Sequence, residues 1–447
     1  MKQDEEKVSK GIFVNYQIAE AITEILMSVD KTGKKQFDLS TEYGLEGAKK
    51  LLEDFKKRWQ EKDKIPGYNL PIGKNMVGMD DISIEEIIEI SESLKQYDVY
   101  SCECAANMQY CMIRDNNGKI AFDFSALEKI AKLAELTGKK IVIDSAIVFG
   151  DHFPENMETM EEPQIKEAQI KEAIALYVET LETNFGNYID RIDVLNSVFQ
   201  RKDVSNKEGI SSEEFWINIF REDYATDVLK IVRETLKNKD IKLCWNEFYI
   251  TNENDPQRLL DFVQRIKETE CLDVIGLQDK FRSDTSVEYI QDSLLKLVDL
   301  CNEKKLKLAI TELGCGITRK DIELLNAAKN NGNYEETLQD VNKRIQTIVA
   351  SVEEIAQQNS DTIISVEERY SDKFDYNNRD IRKKHGHDVN TTGKSKTNKT
   401  LTLNQIGKGT TKEFSYNPEQ AIKAFETLET GIRTQEEIKD GEIQGEE

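Results

Sequence analysis

The sequence predicts an α/β protein: a (β/α)8 TIM barrel with a helical N-terminal extension and a polar insertion after the eighth strand. Short apolar runs alternate with amphipathic helical stretches, which is the pattern of parallel βα units. Eight such runs occur, the number that closes a barrel, and several end in polar residues. The runs lie at residues 70–77, 98–103, 140–149, 191–198, 241–248, 272–277, 307–312 and 361–367.

Most of these runs are followed by a helical stretch. Between the second and third runs, Leu127, Ile130, Ala131 and Ala134 recur at the spacing of one helical face. The active site of such a barrel lies at the carboxyl ends of the strands, so the residues just after each run are the candidates for chemistry. An open, doubly wound sheet is the alternative fold. The phosphate-binding patterns G-x-G-x-x-G and G-x-x-x-x-G-K-[ST] are absent, which favours the barrel.

The segments that flank the barrel have different patterns. Residues 1–66 carry apolar residues at helical spacing, such as Ile18, Ile22 and Ile25, and are predicted to form the helical extension. Residues 67–431 are predicted to form the barrel domain. Within it, residues 375–412 are rich in Asn, Thr, Gly and Lys, which is typical of a flexible surface insertion. Residues 432–447 are predicted to be an acidic tail.

The overall charge limits the classes of partner. The chain has 447 residues and a formal net charge of −23, which disfavours nucleic acid and anionic membrane surfaces as ligands. The N-terminus lacks the apolar core of a secretory signal, so a cytoplasmic location is expected unless a leader has been removed. No motif indicates a cofactor or a particular protein partner, and we expect no cofactor.

Seven cysteines are scattered through the chain, which fits reduced thiols better than a disulfide framework. Cys102, Cys104 and Cys111 lie close in sequence and could ligate a metal. Their spacing matches no common zinc pattern, and small buried apolar residues are the favoured interpretation. We therefore expect no metal site.

Two segments combine a buried-strand pattern with polar residues at the end: YIDRIDVLNSVFQ at 188–200 and KLKLAITELGC at 305–315. Three more segments accompany them in order: FWINIFREDY at 215–224, KLCWNEFY at 242–249 and DVIGLQ at 273–278. Together these motifs resemble those of glycoside hydrolase family 10, the endo-1,4-beta-xylanase family. The resemblance extends from about Pro71 to Gly431 and implies a retaining O-glycosyl hydrolase.

The resemblance implies roles for particular residues. Glu312, at the end of the seventh run, stands at the position of the catalytic nucleophile. Ser197 stands where the family has its acid/base glutamate, which makes this chain a divergent member. Asn196 matches the asparagine that hydrogen-bonds the sugar near the reacting carbon. The other residues implied to bind substrate are Gln278, Asn246 and Tyr249.

A missing acid/base glutamate has a direct chemical consequence. A serine hydroxyl is too weak an acid to protonate a leaving alkoxide, and general-acid assistance contributes about 10²- to 10⁴-fold to such reactions. Another carboxyl group at a neighbouring strand end could substitute; the candidates are Glu247, Asp144, Glu103 and Glu367. Further departures from the family pattern occur at Ala105, Ala106, Gln109, Ser145, Lys280 and Ile364.

Two hypotheses about function follow. In the first, the protein is a glycosidase-like barrel, impaired or altered on β-1,4-xylan-type substrates, with Glu312 as nucleophile. In the second, it is a pseudoenzyme: a non-catalytic scaffold that binds an oligosaccharide or polysaccharide, or contacts a protein. The breadth of the changes favours an inactive or altered barrel over a working xylanase.

Overall fold

The computed structural model describes residues 8–60 (except 15 and 29–33), 83–149 (except 116), 163–197, 212–247, 262 and 264–368 (except 279 and 317). Eight parallel strands in this part of the chain form a closed barrel. They are β1 (Ser9–Phe13), β2 (Val99–Ser101), β5 (Lys140–Ile143), β7 (Ile189–Asn196), β8 (Lys242–Glu247), β9 (Val274–Leu277), β11 (Lys307–Gly316) and β12 (Ile363–Glu368). Each pairs with the next in this order, and β12 pairs with β1 to close the ring. The predicted (β/α)8 barrel is confirmed.

Shorter strands lie outside this ring: β3 (Met112–Arg114) with β4 (Ile120–Phe122), β6 (Val148–Phe149) beside β7, and β10 (Lys280–Arg282) beside β11. The α-helices are α1 (Tyr16–Ala21), α2 (Glu42–Gln60), α3 (Ile84–Leu94), α4 (Met108–Cys111), α5 (Ser125–Thr137), α6 (Pro163–Phe185), α7 (Ser212–Phe220), α8 (Tyr224–Thr235), α9 (Val287–Lys304), α10 (Arg319–Asn331) and α11 (Tyr334–Gln358). A π-helical turn at Ile22–Leu26 and a 3₁₀ turn at Glu103–Ala106 complete the elements. No helix in the described ranges is long and apolar enough to cross a membrane.

The first barrel strand lies in the segment that the sequence assigned to a helical extension. Gly11 of β1 is paired with Val99 on one side and with Glu367 on the other. Because β1 is part of the barrel, the predicted boundary at residue 66 does not separate an extension from the barrel. The run at 70–77, predicted to be the first strand, lies outside the described residues. The strand is short and carries Ser9, Lys10 and Gly11 before its apolar end, a pattern that periodicity alone does not distinguish from a loop.

The helices of the N-terminal region pack against the barrel. α1 contacts α5, and α2 is attached through Trp59, whose indole Nε1 donates a hydrogen bond to the buried carboxylate of Glu20 at 2.9 Å. Lys129 of α5 pairs with the same carboxylate at 3.1 Å. Glu20 therefore links α2 and α5 to α1, beside the first barrel strand.

The lower part of the barrel interior is apolar. Cys244, Val274 and Ala309 form a buried cluster, and Ile364 packs against it. Ile364, one of the departures from the family pattern, is the second residue of β12 and therefore lies near the amino end of that strand, away from the candidate site.

Irregular pairing in three strands changes where side chains point. β7 has one extra residue between Asp193 and Leu195 relative to β8, and β11 has one between Ile310 and Leu313 relative to β12. Two further irregularities occur, in β7 relative to β5 between Ile189 and Arg191, and in β12 relative to β11 between Ile363 and Ser365. An extra residue of this kind interrupts the alternation of side chains and can aim two neighbours to the same side. The irregularities between Asp193 and Leu195 and between Ile310 and Leu313 lie close to the candidate site residues Asn196 and Glu312.

Candidate active site

The closed parallel sheet brings the predicted site residues to one end of the barrel. Asp144 and Ser145 follow β5, Asn196 ends β7 and Ser197 follows it, and Asn246 and Glu247 end β8. Gln278 directly follows β9, and Glu312 lies in β11. Because parallel strands of a barrel end at the same face, residues as far apart in the chain as Asn196 and Gln278, which are separated by 82 positions, become neighbours there.

Asn196 is held by hydrogen bonds at every position of its side-chain amide. Its Nδ2 donates to Asp144 Oδ1 at 2.8 Å and to Ser145 Oγ at 2.7 Å. Its Oδ1 accepts from Ser197 Oγ at 2.8 Å and from the amide of Gln278. An asparagine side chain has two N–H donors and two acceptor lone pairs, so this arrangement uses all four.

Ser197 lies at the centre of the same network. Its hydroxyl also lies 3.1 Å from Gln278 Oε1, so its single proton is shared between two acceptors. Its backbone N–H donates to Asn246 O at 2.8 Å, and Gln278 Nε2 donates to that carbonyl at 3.1 Å. The three side chains of Asn196, Ser197 and Gln278 form a closed polar cluster, which we call the serine cluster.

Asn246 lies deeper than the serine cluster and is fully buried. Its Nδ2 donates to Asp193 Oδ2 at 3.1 Å, and its Oδ1 accepts from Thr311 Oγ1 at 2.7 Å. A Cβ atom at Gly276 would lie 2.5 Å from this Oδ1, so the absence of a side chain there makes room for it. The substrate-binding role implied for Asn246 stays a prediction, and its contacts join β7, β8 and β11.

Glu312 is 2% exposed and directly follows Thr311. In an uninterrupted strand the two side chains would point to opposite faces. They lie in the irregular part of β11, between Ile310 and Leu313, where one extra residue relaxes this alternation. The position of Glu312 is thus compatible with the nucleophile role implied by the motif.

A buried ionic cluster lies within the barrel beneath this site. Arg191, 1% exposed, donates to both oxygens of Glu367 at 2.7 and 3.1 Å and through Nε to Asp193 Oδ1 at 2.7 Å. Ser365 Oγ donates to Glu367 Oε1 at 2.8 Å. Burial raises the pKa of Glu367, and the charge of Arg191 offsets only part of that rise.

This ionic cluster of Arg191, Asp193 and Glu367 is not among the features predicted from the sequence. A signal for it exists, because Arg191 and Asp193 are two positions apart in an otherwise apolar strand and so share one face. The sequence suggests Glu367 only as a substitute acid at a neighbouring strand end. Asp193 connects the cluster to the site through Asn246.

Two further strand-end carboxylates also have partners. Asp144 accepts from Asn196, and Glu247 is fully buried and accepts from Trp245 Nε1 at 3.1 Å. The side chain of Glu103 lies outside the described residues, as does Tyr249. The implied role of Tyr249 in substrate binding therefore stays a prediction.

The cysteines near β2 are buried rather than grouped as ligands. Burial raises the pKa of Cys102 and of Cys111, which favours the protonated thiol over the metal-binding thiolate. Among the residues whose side chains the structure describes, no group of three His, Cys, Asp or Glu side chains could hold a metal ion. The side chain of Cys104 lies outside that set.

The fold and the site define a (β/α)8-barrel protein with a buried polar centre at the carboxyl ends of its strands. The chain belongs to glycosyl hydrolase family 10, whose sequence profile matches residues 74–379, more than half of its length. The family resemblance inferred from the strand-end motifs is thereby confirmed. The match includes seven of the eight barrel strands, since β1 precedes it.

Individual relatives are distant. Endo-1,4-beta-xylanase A of Thermotoga neapolitana is 24% identical over 204 residues, which are 45% of this chain and 18% of that protein. The protein of the same name from Thermotoga maritima is 24% identical over 205 residues, with the same coverage. The chain therefore matches less than a fifth of the length of these curated relatives.

Two solved structures of limited similarity to this chain are xylanases. Xylanase 10B from Thermotoga petrophila RKU-1 in complex with xylobiose has a TM-score of 0.48 at 15% identity, covering 64% of this chain and 78% of that one. Native xylanase 10B from Thermotoga maritima has a TM-score of 0.47 at 15% identity, covering 64% and 79%. Family membership rests on the profile match, and the fold rests on the strand pairing itself.

Proposed function

We propose that this protein is a family 10 barrel that binds a xylan-type saccharide at the carboxyl ends of its strands but hydrolyses ordinary β-1,4-xylosidic bonds poorly. The observation that carries the proposal is the serine cluster. At the position of the acid/base glutamate, Ser197 presents a hydroxyl that is already hydrogen-bonded to Asn196 and Gln278.

Retaining hydrolysis uses two carboxyl groups, one as nucleophile and one as the proton donor to the leaving oxygen. Glu312 supplies the first. Without the second, a sugar hydroxyl would have to leave as an alkoxide, and the reaction loses about 10²- to 10⁴-fold of general-acid assistance.

The Ser197→Glu variant tests this proposal. We expect it to raise the rate of xylo-oligosaccharide hydrolysis by about 10²- to 10⁴-fold, because the new carboxyl group restores a proton donor at the end of β7. The rate is measured as reducing ends released from xylohexaose. Ser197→Gln is the matched control: it adds similar bulk without an acid and should remain as slow as wild type. Rapid hydrolysis by the unmodified protein would refute the proposal.

A non-catalytic scaffold is the second candidate function, and one observation favours it. All four hydrogen-bonding positions of the Asn196 side chain are used within the protein, so a sugar hydroxyl must displace one of them to bind there. Isothermal titration calorimetry with xylobiose and xylohexaose separates the candidates. Saccharide binding without turnover, unchanged in Ser197→Glu, would support the scaffold.

A further inference from the structure

We infer that the substrates this site turns over are β-glycosides of acidic aglycones, that is aryl or acyl glycosides, whose leaving group departs without receiving a proton. This inference rests on the proposed function and names the substrate class of the same site. Phenols and carboxylic acids have pKa values of about 10 and about 4, so their anions are far better leaving groups than a sugar alkoxide.

The first supporting observation is the hydrogen bonding and burial of Ser197, the residue at the inferred acid position. The hydroxyl of Ser197 donates within the serine cluster, and the residue as a whole is only 4% exposed. Both amide N–H groups of Gln278 also donate within the protein, to Asn196 and to the carbonyl of Asn246. These neutral groups can orient a glycoside, but they are too weakly acidic to protonate its leaving oxygen.

The second observation concerns the substitute acids considered from the sequence. Asp144 Oδ1 is held by a hydrogen bond from Asn196 Nδ2 at 2.8 Å. Glu247 is fully buried beside Trp245, and Glu367 is held by Arg191 within the barrel. Of the described strand-end carboxylates, these three have partners that hold them in place.

The first chemical step then needs only Glu312. Its carboxylate attacks the anomeric carbon, a C–O bond forms, and the bond to the aglycone breaks. The aglycone takes the bonding electron pair and leaves as a phenolate or carboxylate, so no proton moves in this step. The product is an ester between the sugar and Glu312.

The second step is slower, because the acid/base group of a retaining enzyme also activates the water that hydrolyses this ester. Water must lose its proton to solvent as it attacks. Azide carries a negative charge and needs no deprotonation. It can displace Glu312 directly, forming a glycosyl azide and restoring the free carboxylate.

The experiment measures the wild-type chain on dinitrophenyl, nitrophenyl and phenyl β-xylosides. We expect a rate that falls steeply as the aglycone becomes less acidic, a burst of phenolate close to one equivalent of protein, and faster turnover with azide. Mass spectrometry of the quenched reaction should find xylose attached to the peptide containing Glu312. In Ser197→Glu the dependence on aglycone acidity should flatten, since the leaving group is then protonated.

Two variants provide the controls. Glu312→Gln should abolish the burst and the covalent adduct. Glu303→Gln, an exposed position on α9, makes the same chemical change and should leave both intact.

The outcomes separate this inference from the proposed function. Xylohexaose binding with no burst from any aryl xyloside would overturn the substrate class and leave the impaired barrel standing. Fast hydrolysis of xylohexaose would overturn the proposed function itself. A burst that persists in Glu312→Gln would overturn the role of Glu312 in the inferred step.

Discussion

Ser145 and Ser197 share an uncommon backbone conformation at two neighbouring strand ends. Their φ angles are 53° and 54°, in the left-handed region that residues with a Cβ avoid by about 1–2 kcal/mol. Both hydroxyls bond the side chain of Asn196, one as acceptor and one as donor. Strain of this kind concentrates at functional sites, where surrounding contacts maintain it. Here the serine cluster supplies those contacts.

Arg191 neutralises only part of the charge buried inside the barrel. With Asp193 and Glu367 both ionised, one buried guanidinium faces two buried carboxylates. Breaking such a buried set by removing one partner typically costs about 3–5 kcal/mol. The ionic cluster therefore matters to stability mainly through the penalty for leaving it incomplete.

Glu367 should give the protein a stability component that weakens as pH rises. Its folded pKa is raised above the unfolded value by burial, so the folded state holds this proton more tightly than the unfolded chain does. The contribution is full below the unfolded pKa and is lost as pH rises through the folded pKa. We expect urea unfolding at a series of pH values to show Glu367→Gln gaining stability relative to wild type with increasing pH.

Asp321 provides the matched control with the opposite sign. Burial favours a higher pKa, but hydrogen bonds from Ser283, Thr318 and Arg344 outweigh it and lower the pKa of Asp321. Its contribution is present above the unfolded pKa and lost as pH falls through the folded pKa. Asp321→Asn should therefore lose stability relative to wild type as pH rises from the acid range. A stability difference for Glu367→Gln that does not change with pH would contradict our account of the cluster.

Among the elements, β1 and β12 pack closely where Gly11 pairs with Glu367. A Cβ atom at Gly11 would lie 2.4 Å from Cγ of Glu367, a distance that real side chains essentially never show. β1 therefore needs glycine at this point because the neighbouring strand directs a glutamate into the barrel. This requirement couples the first strand to the ionic cluster.

Gly11→Ala should destabilise the protein by about 1–3 kcal/mol, the usual cost of overpacking. The free energy of unfolding in urea measures the effect. In the Glu367→Ala background the same change should cost clearly less, because the nearest atom is gone. Equal costs in both backgrounds would mean that Gly11 and Glu367 are not in contact and that β1 does not occupy this place in the barrel.

At the scale of the whole molecule, barrel closure depends on a strand that precedes the family-matched region. β1 joins β12 to β2, so its removal leaves two strands with unpaired edges. Open edges of this kind promote aggregation. Glu20, Trp59 and Lys129 add side-chain contacts between the N-terminal helices and α5.

A chain that begins at residue 67 should consequently fail to fold cooperatively, although it contains all of residues 74–379. Soluble yield and thermal unfolding followed by circular dichroism measure this. Removing only residues 1–7, which precede β1, is the control and should leave the melting temperature close to that of the full chain. A cooperative transition at an unchanged temperature in the shorter chain would refute this role of β1.

Much of this architecture was predictable from the chain alone. Seven of the eight expected runs coincide with barrel strands, because buried parallel strands are nearly continuous apolar segments bounded by helices. The motifs around Asn196 and Glu312 identified the family. β1 could not be predicted, because five residues with a polar start carry too little periodicity. It is a strand because it pairs with β2 and β12.

The fold class and the family could be predicted from the sequence alone, since these depend on local pattern and on residue identity. The hydrogen-bond partners are set by the tertiary structure. All four hydrogen-bonding positions of the Asn196 side chain are used, Ser197 is hydrogen-bonded to Gln278, and Arg191 is paired with Glu367. Apart from Ser197, which is adjacent to Asn196 in the chain, these partners are 51 to 176 positions apart, and only barrel closure sets the distances between them. Hydrogen bonds and charge pairing act through those distances, which no spacing along the chain encodes.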